Sequence, residues 1–215
     1  MLIIPAILEK NFSSAKEKIK ALSPFFNRFQ IDIADNIFVP NKTLETKDFK
    51  FNKFQRLKFD FHLMVKNPEK ELKVLNNKEN VKIVFINLES FTPKILTQNY
   101  TFEVGITLNP KDKLEEFAQK PFFKKIQHLL VMTVNPGFQG SKFLPETLLK
   151  IKNLKELGFR GKIYLDGGIN EKTIRYIKPY KDSIYALCIG SYLTKAKDVK
   201  KAKEVLNKSL NIDQV

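Results

Sequence analysis

Short apolar segments recur along the chain at nearly even spacing, and amphipathic segments separate them. Most of the apolar segments are rich in Ile, Val, Leu or Phe and do not alternate strictly with polar residues, which is typical of strands covered on both faces. The segments predicted as strands are Leu2–Ile7, Phe29–Ile33, Lys58–Met64, Lys82–Leu88, Phe102–Leu108, Ile126–Val134, Lys162–Leu165 and Ile184–Ile189.

Helical periodicity is clearest in three of the intervening segments. These are Ser13–Leu22, which begins behind a serine cap, Glu146–Leu157 and Asp198–Leu210. A weaker signal predicts a helix around Lys47–Phe54. Eight strands that alternate with helices indicate a parallel α/β protein and fit a (β/α)₈ TIM barrel, although a doubly wound sheet has the same periodicity. Because no linker or low-complexity segment divides the chain, we predict a single domain over residues 1–215.

Composition excludes disordered and fibrous classes, since 43% of the residues are hydrophobic and 28% are charged. The formal net charge of +15 permits binding of polyanions or anionic substrates. The arginines are Arg28, Arg56, Arg160 and Arg175, and the lysines are spread along the chain among glutamates. We therefore predict a solvated lysine surface and no nucleic-acid partner, and we keep a nucleic-acid binder as the alternative from another functional class.

The single cysteine, Cys188, excludes an intramolecular disulfide and a cysteine-cluster metal site. It lies within an apolar segment, so we expect a buried small hydrophobe there. No signal peptide is evident after Met1, and no segment approaches the ~18 apolar residues that a membrane span requires. The sequence thus predicts a cytoplasmic protein that does not enter a membrane.

Polar residues collect where the predicted strands end, which is where a barrel carries its active site. They are Asp32, Asp35, His62, Asn87, Glu89, Asn109, Thr133, Asn135 and Asp166. Asp32 and Asp166 are flanked by apolar residues, and a buried carboxylate is costly unless it is paired or binds a cation.

Glycines mark the loops after the last three strands. Five of the eight glycines in the chain lie there, namely Gly137, Gly140, Gly167, Gly168 and Gly190. With Ser191, they predict a phosphate-binding cradle, because glycine lets backbone N–H groups approach an anion. The segment from Gly137 to Gly140 is also predicted to act as a flexible lid.

Five motifs together resemble the ribulose-phosphate 3-epimerase family in both order and spacing, from Pro5 to Ser191. They are Phe38-Val-Pro-Asn41, His62-Leu-Met-Val65, Met132-Thr-Val-Asn-Pro-Gly-Phe138, Leu165-Asp-Gly-Gly-Ile169 and Gly190-Ser191. The resemblance implies a TIM barrel of the ribulose-phosphate-binding type. It also implies a homo-oligomer, since members of the family form dimers and hexamers.

The same resemblance implies the reaction, which interconverts D-ribulose 5-phosphate and D-xylulose 5-phosphate by moving a proton at C3. Asp32 and Asp166 would be the two proton carriers on opposite faces of the substrate. In the family, two histidines and the two aspartates hold a divalent cation that stabilises the enediolate. The substrate pocket is expected to include Ala6, Ala34, Met64, Met132 and Asn135.

Several residues depart from the family pattern. Gln30 stands where the family has a histidine ligand, so we expect Asp32, His62 and Asp166 to bind the metal, with Gln30 as a weaker fourth oxygen donor. The cation is then Zn²⁺, Mn²⁺, Fe²⁺ or Mg²⁺, bound with reduced affinity. The other histidine, His128, is early in its strand and is predicted to be structural.

Further departures alter the predicted substrate-facing wall. Ala6 replaces a serine, Ala34 a methionine and Asn36 a glycine; Asn87-Leu-Glu89 replaces His-Val-Glu, and the lid reads Phe138-Gln-Gly-Ser141 in place of Phe-Gly-Gly-Gln. Two alternatives to a ribulose-phosphate epimerase therefore remain open. One is an epimerase of another ketose phosphate, of the allulose 6-phosphate type, and the other is a barrel that binds a phosphorylated ligand without turnover.

Overall fold

The computed structural model describes residues 1–210, and their strands form a closed barrel of parallel β-strands. The strands pair in chain order, and β8 returns to pair with β1. Their bounds are β1 Leu2–Ile7, β2 Arg28–Ala34, β3 Lys58–Met64, β4 Val81–Asn87, β5 Glu103–Leu108, β6 His128–Met132, β7 Lys162–Asp166 and β8 Ala186–Ile189. Closure confirms the predicted (β/α)₈ barrel and excludes the doubly wound sheet.

The helices of the described region pack on the outside of the barrel. They are α1 Phe12–Leu22, α2 Glu69–Leu75, α3 Leu114–Ala118, α4 Leu149–Glu156, α5 Ile174–Ile177, α6 Ser191–Thr194 and α7 Val199–Leu210. Short 3₁₀ turns complete the remaining connections, and one of them, Pro145–Leu148, leads directly into α4. None of the helices between residues 1 and 210 is long and apolar enough to span a membrane. A single domain over the full range 1–215 stays a prediction, because residues 211–215 lie outside the described part.

Two local predictions were wrong. Helix α1 is capped by Asn11 and not by a serine, because the Asn11 side chain accepts a hydrogen bond from the Ser14 backbone N–H at 3.0 Å. The helix predicted over Lys47–Phe54 is replaced by two 3₁₀ turns, Thr46–Asp48 and Phe51–Lys53. The helix is replaced because Phe49 and Phe51 both pack against β3.

Phe49 and Phe51 both contact Phe59 of β3, with ring centroids 5.0 and 6.2 Å away. A continuous α-helix would place residues two apart at about 200° around its axis, so only one of them could face the strand. Contact of both rings with the barrel therefore favours an irregular connection over a helix.

The core has an outer layer between strands and helices and an inner layer inside the barrel. The inner layer includes Phe85 of β4 and Tyr164 of β7, whose rings meet at 5.0 Å although their strands are not neighbours. Gly105 makes this possible, since a Cβ there would lie 2.4 Å from the Phe85 ring. Cys188 is 1% exposed in the same layer, which confirms its predicted role as a buried hydrophobe.

Candidate active site

Successive side chains of a strand point alternately into and out of the barrel. As a result, three side chains that are far apart in the sequence meet at the carboxyl end of the barrel interior. Asp32 of β2 pairs in register with His62 of β3, and Asp166 is the last residue of β7. One ligand atom from each of the three lies within 4.8 Å of the others. The structure therefore groups the aspartates and the histidine that the sequence singled out.

Gln30 lies beneath this group, two residues before Asp32 on the same strand. Its amide nitrogen donates to Asp32 Oδ1 at 2.8 Å and to Asp166 Oδ2 at 2.5 Å. One neutral amide thus bridges both carboxylates. Its own Oε1 is buried and has no hydrogen-bond partner among the described residues.

The electrostatics of the group are unbalanced. Asp32 and Asp166 are each 7% exposed, and no lysine or arginine of the described residues lines the cavity above them. Burial and the adjacent Asp32 charge raise the pKa of Asp166 to about 7, although His62 and Gln30 act in the opposite direction. A carboxyl with that pKa exchanges a proton readily near neutral pH.

The donor set fits a divalent metal ion. His62 is fully buried, and neither of its ring nitrogens has a hydrogen-bond partner within residues 1–210. Its Nδ1 lies 3.4 Å from Asp32 Oδ1 and 4.0 Å from Asp166 Oδ2. Two carboxylates and an imidazole that converge in this way, with an unpartnered nitrogen, are chemically suited to Zn²⁺, Fe²⁺ or Mn²⁺.

A cavity opens from this group to solvent. Ala6, Met64 and Met132 line it as predicted, and the predicted phosphate-binding residues form another part of its wall. Those residues are Gly137, Gly140, Gly167, Gly168, Gly190 and Ser191. The site therefore combines an acid–base group with a glycine-rich wall in one cavity.

Thr133 holds the loop after β7 in place. Its hydroxyl is within hydrogen-bond distance of the carbonyl oxygens of Asp166 and Gly167, at 3.0 and 2.5 Å. Gly167 has a φ of 115°, and a Cβ there would lie 2.5 Å from Val134. Only glycine fits this turn, which carries the chain directly from Asp166 to the glycine-rich wall.

Two predicted pocket residues do not reach the cavity. Asn135 is exposed and does not line the cavity, although its neighbours Val134 and Pro136 do. Ala34 is buried, packs with Val39 and Met64, and does not line the cavity. Neither residue lines the cavity in this structure, and their contact with a substrate stays a prediction.

The other polar residues at strand ends have structural roles. Asp35 accepts hydrogen bonds from the backbone N–H groups of Ile37, Phe38 and Lys66 and so fixes the loop after β2. Asn109 donates to Asn87, and Asn87 donates to the Leu63 carbonyl. Glu89 forms an exposed ion pair with Lys111. None of these residues lines the cavity.

His128 is the first residue of β6, so it lies at the opposite end of the barrel from the site. Its Nε2 is 2.8 Å from Glu103 and its Nδ1 is 3.3 Å from the Tyr164 hydroxyl. The predicted structural role of His128 agrees with this position.

Sequence reasoning missed several residues that line the cavity. They are Leu8, Val134, Pro136 and Ile169, whereas Phe138, Gln139 and Ser141, which also line it, belong to the segment predicted as a lid. All of them lie within two residues of a site residue that was predicted, so position along the chain was the available signal. Their side chains are mostly apolar, and this gave them no chemical signature of their own.

Comparison with known proteins identifies the family. The model of the ribulose-phosphate 3 epimerase family matches residues 2–194. This chain belongs to that family. The ribulose-phosphate 3-epimerase of Helicobacter pylori strain 26695 is 30% identical over 96% of this chain and 96% of its own length. That of Methanocaldococcus jannaschii is 32% identical over 78% of this chain and 74% of its own length.

Solved structures support the fold. The 3-hexulose-6-phosphate synthase of Salmonella typhimurium superposes with a TM-score of 0.63 at 14% identity, covering 98% of this chain and 99% of that one. The orotidine 5'-phosphate decarboxylase of Pyrococcus horikoshii gives a TM-score of 0.65 at 10% identity, covering 98% and 99%. At such low identity these likenesses concern the barrel alone.

Proposed function

We propose that this member of the family is an isomerase that interconverts D-ribulose 5-phosphate and D-xylulose 5-phosphate by moving the proton at C3. The observation that carries the proposal is the juxtaposition of two buried carboxylates with a glycine-rich wall in one cavity. The family membership and the names of its relatives agree with this substrate. The phosphorylated ketose is the partner that follows from it, and the homo-oligomeric state and cytoplasmic location stay predictions.

Asp32 and Asp166 carry the proton. One carboxylate accepts the proton from C3 as the C–H bond breaks, and its electron pair passes into the enediolate of the substrate. The other, in its acid form, gives a proton to the opposite face of C3, and the C–H bond forms with inverted configuration. The two carboxyls exchange protons with solvent before the next turnover. Gln30 holds both carboxylates in position from below through its two hydrogen bonds.

Asp32, His62 and Asp166 would hold a divalent metal ion, and Gln30 Oε1 would be a weaker fourth donor only where the Gln30 amide no longer donates to the two carboxylates. When bound, such an ion supplies positive charge for the oxygen anions that develop next to C3. Within this part of the chain the cavity wall has no cationic side chain to do so. The apolar side chains of Met64 and Met132 exclude water from the same region.

A second ketose phosphate is favoured by one observation. Ala6 lines the cavity, and its small side chain leaves space for a larger sugar. The six-carbon allulose 6-phosphate is therefore the alternative substrate. A barrel that binds the phosphate group but performs no turnover is the remaining alternative.

The test is ¹H NMR in D₂O with D-ribulose 5-phosphate, first with a chelator and then with Zn²⁺ or Mg²⁺, and with Mn²⁺ or Fe²⁺ in samples quenched with chelator. We expect deuterium at C3 together with D-xylulose 5-phosphate. Exchange with allulose 6-phosphate alone would identify the alternative substrate. No exchange with either sugar under any metal would contradict an epimerase.

Two variants make the test specific to the site. Asp32→Asn and Asp166→Asn should each abolish the formation of D-xylulose 5-phosphate. The matched control is Asp60→Asn, because Asp60 is also buried within the barrel but lies near its amino end. Loss of D-xylulose 5-phosphate formation in the control at equal folded fraction would show that the effect is not local to the site.

A further inference from the structure

The cavity offers no positive side chain to an anion. No lysine or arginine in residues 1–210 lines it, and two aspartates lie at its base. A phosphate group that enters such a cavity must be held by neutral N–H and O–H donors, because buried anionic oxygens require hydrogen-bond partners. Backbone N–H groups of the glycine-rich wall are one source of such donors.

Gln139 supplies another donor. It lies in the loop after β6, between Gly137 and Gly140, and its side chain reaches the cavity. Its amide nitrogen Nε2 is shielded from solvent and has no hydrogen-bond partner among the described residues. Buried polar groups are nearly always hydrogen-bonded, so an unpartnered NH₂ group at a cavity wall indicates a ligand acceptor.

The position of this nitrogen relates it to the glycine-rich wall. Gln139 Nε2 lies 3.9 Å from the point that a Cβ on Gly190 would occupy. The loop that carries it is joined to the loop after β2 by a hydrogen bond, since Asn41 Nδ2 donates to the Gly137 carbonyl at 2.5 Å. The donor therefore lies beside Gly190, in the same cavity that Gly190 and Ser191 line.

We propose that Gln139 binds the substrate phosphate by donating a hydrogen bond from Nε2 to one of its oxygens. The inference rests on the proposed function, in that it requires a phosphate monoester in this part of the cavity. The family pattern has glycine at this position, so the side-chain donor is a feature of this chain. Gln139 is a binding residue and takes no part in proton transfer.

The test uses inorganic phosphate as the probe, titrated calorimetrically into the full chain in the presence of a chelator, so that no metal ion contributes to binding. Gln139→Ala should weaken phosphate binding about tenfold, as expected for loss of one hydrogen bond to a charged acceptor. Gln139→Glu should weaken it more, because it places a like charge beside the dianion. The matched control, Gln127→Ala, removes an exposed amide next to the amino end of β6 and should bind as the parent does.

Steady-state kinetics give a second readout. Gln139→Ala should raise KM for D-ribulose 5-phosphate about tenfold and leave kcat within about twofold, because the bond is equally present in the ground and transition states. Unchanged phosphate affinity in Gln139→Ala, or a parent protein that binds no phosphate, would overturn the inference. Weakened phosphate binding in a protein without epimerase activity would support Gln139 and contradict the proposed function.

Discussion

Buried aspartate and histidine side chains lie at both ends of the barrel interior. Within residues 1–210, only at the amino end is the aspartate paired with an arginine. At the amino end, Arg28 donates to both Asp60 oxygens at 2.8 Å. Burial disfavours the guanidinium cation, but the Asp60 carboxylate outweighs it and keeps the pKa of Arg28 above its ordinary value. His128 likewise lies within reach of Glu103 and Tyr164.

At the carboxyl end, Asp32, Asp166 and His62 have no cationic partner among the described residues, and only Gln30 donates to the carboxylates. Charges that are paired with each other stabilise the fold but have no capacity left for a ligand. Charges that are left unpaired cost stability and can bind a metal ion or accept a proton. The comparison thus separates the end of the barrel whose charges are paired from the end at which we propose the chemistry.

The largest effect should come from Asp166→Asn. Removal of a proton carrier should lower turnover of D-ribulose 5-phosphate by about 10⁴-fold. The free energy of unfolding should stay the same or rise by about 1 kcal/mol, because burial and repulsion by Asp32 no longer oppose a charge at this position. Kinetics and urea denaturation measure the two quantities. Turnover above a tenth of the parent rate would remove Asp166 from the mechanism.

Arg28→Met, at the amino end of the barrel, should lower stability and leave activity nearly unchanged. It leaves the Asp60 carboxylate buried without its partner, so the free energy of unfolding should fall by about 3 kcal/mol, while kcat/KM of the folded protein stays within about threefold of the parent. Adding Asp60→Leu to Arg28→Met should restore most of the lost stability. A double variant as unstable as Arg28→Met would show that the pair is not the source of the loss.

Gln30→His should add a metal ligand at the carboxyl end of the barrel, where the charges are unpaired. Imidazole binds Zn²⁺ more strongly than an amide oxygen, so affinity for Zn²⁺ should rise about tenfold in competition with a chromophoric chelator. Gln127→His is the control, because it adds an exposed histidine at the other end of the barrel. Equal affinities in the parent and in Gln30→His would exclude residue 30 from the metal site.

The smallest effect should be on the pH dependence of stability, through His128 at the amino end of the barrel. Burial lowers the pKa of His128 from 6.5, with Lys162 and Arg28 acting in the same direction and Glu103 opposing them. The unfolded chain then binds a proton more readily than the folded one, so this contribution to stability is present above about pH 6.5 and is lost on acidification.

Replacing His128 by Gln should therefore make unfolding free energy fall less between about pH 7 and about pH 5. Denaturation midpoints at several pH values for the parent and for His128→Gln measure this. Curves that run parallel across that range would show that His128 does not contribute.

Several features of the fold and site were predictable because they depend on local pattern. Strand segments without alternation, such as Lys58–Met64, predict burial on both faces, and Asp32, His62 and Asp166 were found by their positions at strand ends. Predictions failed where contacts between distant residues decided the outcome. Contact of Phe49 and Phe51 with β3 replaced a helix, and Ala34 packed with Val39 and Met64 and not along the cavity.

The sequence by itself determined the alternation of strands and helices, the family resemblance that implies a barrel, and the set of acid–base residues, because strand periodicity and motif spacing are properties of the chain. Only the tertiary structure decided which charges are paired. Arg28 meets Asp60 across 32 residues, and Gln30 meets Asp166 across 136. The inward direction of the unpartnered amide of Gln139 was settled in the same way. Such contacts depend on strand register and barrel closure, which bring together side chains that local pattern treats as independent.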